Sequence, residues 1–168
     1  VVKQIERNIA AVYSVKRAES MALKDAENRG LVEYFNIDPV YFAHIGGLVD
    51  INKIRNSRIS AVIDPMFGAG IGYLKGLLSG GTCKLTEIDG ERNPIFPGMK
   101  QPEPIGVTLA HLTRTIRRKK ADVGIAHDGD ADRMMAVDDR GRFIPGDKLL
   151  TILAKDMGAK EVITTIDA

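Results

Sequence analysis

The chain has 168 residues, with 24 Lys and Arg against 22 Asp and Glu, a formal charge of +2. That length suits one domain, or one domain with pieces of its neighbours, and 44% hydrophobic with 27% charged residues excludes a disordered tail. No apolar run reaches the ~18 residues of a membrane span, and the near-balanced charge gives no global pull toward nucleic acid.

Val1 opens mid-pattern with no basic-then-apolar leader, so no secretory signal is visible, and the missing start Met reads as a sign of an excerpt from a longer chain. Ile5, Ile9, Val12 and Val15 form one helical stripe in a segment running to about Leu23, and Asn28-Arg29-Gly30 stops it. Asp38-Pro39 starts a helix to about Val49, a carboxylate cap followed by proline at the first helical position. Lys53 to Ser57 reads as a short helix or turn. Ile59 to Asp64 is a strand ended by Pro65; Gly68, Gly70 and Gly72 follow, then a helix through Leu74, Leu77 and Leu78. Cys83 to Ile88 is a second strand. Cys83 is the only cysteine, which excludes a disulfide framework and a multi-cysteine zinc site and fits a cytoplasmic location.

Asp89 to Val107 is a long loop carrying Pro94, Pro97, Pro102 and Pro104. Thr108 to about Lys119 is a helix with Leu109, Leu112 and Ile116 inward. It ends in Arg114, Arg117, Arg118, Lys119 and Lys120, cations that suit the negative end of a helix dipole. No aromatic residue is interleaved to stack a base, so the cluster reads as a solvated terminus and not a nucleic-acid patch. Val123 to Ala126 is a third strand, Met134 to Val137 and Arg142 to Ile144 form a hairpin, Pro145-Gly146 opens a helix to about Met157, and Glu161 to Ile166 is a last strand. Strands alternating with helices predict a three-layer α/β/α fold with a mostly parallel sheet and a β-hairpin after the acidic loop. Ligands in such folds sit beyond the carboxyl ends of the strands, here just after Asp64, Ile88 and His127.

The segment after the third strand is Asp128-Gly129-Asp130-Ala131-Asp132-Arg133. Three carboxylates this close repel one another and resist ionisation unless a cation sits between them. Oxygen-only ligands favour magnesium, manganese or calcium over zinc. The competing reading is a polar surface turn. An EF-hand loop starting at Asp128 would need Gly and Glu where this chain has Arg133 and Asp139. A haloacid-dehalogenase-type phosphatase also begins Asp-x-Asp after a strand, but it usually continues to Thr or Val where Asp132 stands.

The same six residues resemble the magnesium loop of the α-D-phosphohexomutases, the phosphoglucomutase/phosphomannomutase superfamily, and Ala121 to Ala126 is similar to its lead-in. Three further segments resemble that family: Asp64-Pro65-Met66-Phe67-Gly68-Ala69-Gly70, the loop from Arg92-Asn93-Pro94 through Pro102-Glu103-Pro104, and Pro145 to Leu150. The resemblance runs from about Asp38 to the C-terminus. It implies residues 37–142 as domain II of a four-domain enzyme, residues 1–36 as the tail of domain I with a connector, and residues 143–168 as the start of domain III. It further implies Mg2+ as cofactor, Asp128, Asp130 and Asp132 as its ligands, and Arg133 as a catalytic cation beside the reacting phosphate, the other role for Arg133 being a salt bridge to a nearby carboxylate. The implied reaction interconverts a sugar 1-phosphate and a sugar 6-phosphate through a phosphoserine and a bisphosphorylated intermediate, the partners being the sugar phosphate and domains I, III and IV. None of Ser14, Ser20, Ser57, Ser60 or Ser79 is followed by His, as the family's nucleophile loop requires, so this chain alone is expected to be inactive. The rivals are a stand-alone metal- or phosphosugar-binding module and the phosphatase above.

Other groups carry simpler expectations. Gly68-x-Gly70-x-Gly72 lacks the next glycine of a dinucleotide fingerprint, Tyr73 standing there, and reads as a tight structural turn. His127 abuts the acidic loop, where it could ligate metal or touch substrate, but reads first as a strand-end residue hydrogen-bonded locally; His44 and His111 read as structural. Arg92 and Glu103 lie in a long loop, which favours function over packing; their role is open, with a loop-internal ion pair as the default reading. Met66, Met134 and Met135 read as core filler.

Overall fold

The computed structural model describes residues 2–14 and 20–164. The chain forms two compact units, one up to Tyr41 and one from Phe42 onward. The first holds α1 (Val2–Ser14), α2 (Leu23–Asn28) and the first turn of α3 (Asp38–Leu48). The stripe residues Ile5, Ile9 and Val12 of α1 are all exposed, and Val15 lies outside the described residues.

The second unit continues with α4 (Ile51–Arg55), β1 (Ser60–Asp64), α5 (Tyr73–Leu78), β2 (Lys84–Glu87), a 3-10 turn at Gly106–Leu109, α6 (Ala110–Lys119), β3 (Val123–His127), β4 (Met134–Asp138), β5 (Phe143–Ile144) and α7 (Gly146–Asp156). Asp50 caps α4, its carboxylate accepting the Lys53 amide at 2.9 Å. The five strands form one sheet in the order β2-β1-β3-β4-β5. β1 is parallel to both β2 and β3, whereas β3–β4 and β4–β5 are antiparallel. The sheet is therefore mixed. Six residues, 128–133, join β3 to β4, too few for the crossover of a dozen or more residues that a parallel neighbour needs.

The chain passes from β1 through α5 to β2 on one side, then back through α6 to β3 on the other side of β1. Right-handed crossovers running in opposite directions put α5 and α6 on opposite faces of the sheet. Ala61 to Asp64 are all buried, as a strand covered on both faces must be. On the α6 face, Leu112 and Ile116 pack with Val62, Ala126 and Val137, and Met66 seals the same cluster. The order of connections reverses between β1 and β3, so their carboxyl ends open a crevice where ligands bind in such sheets. Residues 161–164, expected to open a last strand, are exposed and pair with no described strand, and 165–166 lie outside the described residues. No described helix is long and apolar enough to cross a membrane.

Candidate metal centre

β3 ends at His127, and the loop 128–133 turns back into β4 at that crevice. The loop is folded around Asp128. The Ala131 amide donates to the Asp128 carbonyl at 3.1 Å, the Asp128 amide to the Arg133 carbonyl at 3.3 Å, and the Arg133 amide to Asp128 Oδ1 at 3.0 Å. Ala131 adopts a left-handed φ of 62°, which a small side chain tolerates better than a branched one. The result is convergence: one carboxylate oxygen each from Asp128, Asp130 and Asp132 lies within 4.8 Å of the others. Asp128 is buried and the other two are exposed.

The charges bear on one another. Asp132 is pushed above the usual carboxylate range, first by its hydrogen bond with Asp128 and then by the charges of Asp130 and Asp128. Burial pushes Asp128 up as well, but the Arg133 amide and guanidinium and the bond from Asp132 outweigh it and hold Asp128 low. So Asp128 ionises first and Asp132 keeps its proton longer. Three oxygen donors that converge, one of them reluctant to ionise in the company of the others, suit a hard divalent cation.

Arg133 stands over this group. Its Nε donates to Asp128 Oδ2 at 2.7 Å and lies 3.6 Å from Asp132 Oδ1, and its Nη2 reaches Glu103 Oε1 at 3.3 Å. Glu103 thus pairs with Arg133 and not with Arg92, correcting the expected loop-internal pair. The proline loop meets the acidic loop, so Glu103 finds a cation 30 residues on. Arg92 instead lines an open cavity of about 460 Å³ bounded by Phe67, Ile71, Phe96 and the Gly129 backbone. Asp128, the residue a phosphatase would use as nucleophile, is 1% exposed with both oxygens held by Arg133.

The turn after β1 completes the site. The Ala69 amide donates to the Gly129 carbonyl at 2.9 Å, and a Cβ on Gly68 would lie 2.3 Å from that same oxygen. A Cβ on Gly70 would lie 2.8 Å from His127 Nδ1. Both glycines serve close approach. His127 Nδ1 is buried without a hydrogen-bond partner, against expectation, because the backbone facing it is the bare glycine turn. Burial lowers its pKa. His111 pairs with Asp89 at 2.9 Å. Met66 is fully buried, whereas Met134, expected in the core, is 42% exposed because it stands at the end of β4 beside the open loop.

Sequence reasoning missed Asp64. It is fully buried at the end of β1, Oδ1 accepting the Met66 amide at 2.9 Å and Oδ2 unpartnered. Burial raises its pKa to about 6, despite the Met66 bond, with the Asp89 charge adding to the effect and His111 opposing it. An acidic residue closing an apolar strand just before proline was the only local signal. The turn it begins places Met66 and Phe67 at left-handed φ values of 49° and 58°.

Residues 39–141 match the family described as phosphoglucomutase/phosphomannomutase, alpha/beta/alpha domain II. The chain is 43% identical over 157 residues to the "Probable phosphoglucosamine mutase" of Methanothermobacter thermautotrophicus, covering 94% of this chain and 34% of that relative. It is 35% identical over 130 residues to the phosphoglucomutase/phosphomannomutase of Thermococcus kodakarensis, covering 75% of this chain and 28% of that one. The crystal structure of a phosphomannomutase-like protein from Thermus thermophilus superposes with a TM-score of 0.69 at 30% identity, covering 76% of this chain and 30% of that chain. The chain spans about a quarter to a third of the length of the curated relatives it matches.

Proposed function

This chain belongs to the phosphoglucomutase/phosphomannomutase family, of which it carries the α/β/α domain II, and from that premise we propose that it is the magnesium-binding central domain of a sugar-phosphate mutase. The whole protein interconverts a hexose 1-phosphate and a hexose 6-phosphate through a phosphoserine and a bisphosphorylated intermediate. In this reading residues 37–142 are domain II, residues 1–36 the tail of domain I with its connector, and residues 143–168 the start of domain III. Domains I, III and IV of the same protein supply the rest of the cleft. The lone, free Cys83 supports a cytoplasmic location.

Asp128, Asp130 and Asp132 hold the cation. Bound there, it supplies the positive charge that phosphoryl transfer needs near the phosphate oxygens. Arg133 presents a guanidinium beside the same place, and its planar fork suits phosphate oxygens better than an ammonium would. Asp128 fixes the direction of that fork through Nε. The chain holds no serine followed by histidine, so by itself it binds the cation weakly and turns nothing over.

The observation that carries this reading is the convergence of three carboxylate oxygens at the carboxyl end of β3 in a domain II chain. Calorimetric titration of this chain with Mg2+ and Mn2+ tests it. Weak binding abolished by Asp130→Ala is expected, and tight binding that survives this change would overturn the site. For the whole protein, a coupled assay with glucose 1-phosphate and its bisphosphate activator should show turnover in the full-length enzyme and none in this chain.

A further inference from the structure

We propose that Glu103, carried by the proline-marked loop, is a positioning residue that holds the Arg133 guanidinium in place over the acidic loop and leaves one edge of it open to a phosphoryl oxygen. The inference rests on the mutase reading above and deepens it. Arg133 uses Nε on Asp128 and Nη2 on Glu103, and no protein partner is found for Nη1 among the described residues. Two carboxylates on two nitrogens fix the plane of a fork that one carboxylate would leave free to swing about the Nε bond. With both bonds made, the Arg133 side chain is still 58% exposed, which leaves room for a ligand beside it.

Glu103 is itself held on both sides. The Pro102 carbonyl accepts the Gly129 amide at 3.0 Å, which ties the loop to the acidic turn. The Glu103 carbonyl accepts the Ile105 amide at 2.8 Å and the Thr108 hydroxyl, which ties it to the start of the Gly106–Leu109 turn. Pro102 packs against Gly129 so closely that a Cβ on Gly129 would lie 2.9 Å from Pro102 Cγ. Prolines on either side of Glu103 restrict its backbone. The segment is therefore a rigid strut from the N-terminal end of α6 to the metal loop, with the carboxylate at its tip.

Two measurements test the role. In this chain, the Arg133 Nε–H resonance is followed by 15N NMR in wild type, Glu103→Gln and Glu103→Asp. Glu103→Gln should speed exchange of that proton with water about tenfold and leave Mg2+ affinity within about threefold, because Glu103 holds the arginine and not the cation. Glu103→Asp, which keeps the charge, should restore part of the protection. In the full-length enzyme, Glu103→Gln should lower kcat about ten- to a hundredfold with KM for the sugar phosphate changed less than about threefold, the usual scale for a misplaced catalytic group. That loss should vanish when measured in an Arg133→Gln background. Unchanged Arg133 exchange in Glu103→Gln, or an undiminished effect of Glu103→Gln in the Arg133→Gln enzyme, would overturn the proposal. If the full-length wild type shows no mutase turnover, the mutase reading falls, and the exchange measurement alone decides whether Glu103 holds Arg133.

Discussion

The main-chain amide of Ala69 donates to the carbonyl oxygen of Gly129 across 2.9 Å, so the turn after β1 and the acidic loop after β3 are tied to each other. Gly68 makes that approach possible, since a methyl group there would lie 2.3 Å from the same oxygen. Gly68→Ala should destabilise the fold by about 1–3 kcal/mol, the usual cost of overpacking, and weaken Mg2+ binding at Asp128. Urea unfolding and calorimetry on the same variant check both effects. A variant with the parent's midpoint and affinity would show that the two loops are independent.

The three aspartates should make stability depend on the cation. Saturating Mg2+ should raise the Tm of this chain at pH 7 by mass action. The raised pKa of Asp132, caused by its hydrogen bond with Asp128 and by the neighbouring charges, means that protons would compete with a cation held at the proposed site. The Mg2+ effect should therefore fade as the pH falls and the loop protonates. Asp132→Asn should abolish the effect at both neutral and acid pH. Thermal melts with and without Mg2+ measure it, and a Tm increment that is the same in the Asn variant would remove Asp132 from the ligand set.

Asp64 should give the fold a pH dependence of opposite sense to that of ordinary carboxylates. Its folded pKa of about 6 lies above the ordinary value of 3.8, so the folded state binds the proton more tightly than the unfolded chain. The contribution is fully present below about pH 4 and is lost as the pH rises through about 6, costing on the order of 2–3 kcal/mol by neutral pH. Asp64→Asn keeps an oxygen for the Met66 amide and cannot ionise. It should be more stable than wild type at about pH 7.5 and roughly equal at about pH 3.5, measured by urea midpoints at the two pH values.

Leu112 and Ile116 are fully buried on the inner side of α6. Leu112→Ala should cost about 2–5 kcal/mol, the range for truncating a core leucine. Chemical denaturation measures it, and a cost below about 1 kcal/mol would mean that α6 is not fastened to the sheet as described.

Features that depend on near neighbours in the chain were legible without coordinates. Asp128, Asp130 and Asp132 lie within five residues of one another, so their meeting needs only a local turn. The apolar run of β1 and the Asp138-to-Arg142 hairpin likewise express local periodicity and turn chemistry. Even so, the hairpin's antiparallel attachment to β3 followed from the shortness of the acidic loop and not from any strand pattern. His127 and Met134 were misread because burial at a strand end depends on what packs across it, and a bare glycine turn offers His127 no partner.

Residue order alone determined the acidic loop, the run of strands and helices, and the family likeness, because those are written in spacings of a few residues. Only the tertiary structure decided that Glu103 reaches Arg133 across 30 residues, that Asp64 is sealed with one oxygen unpartnered, and that Gly68 presses against Gly129. Those relationships arise when two crossovers bring the ends of β1 and β3 side by side, and an electrostatic or steric contact between distant segments leaves no periodic trace in either of them.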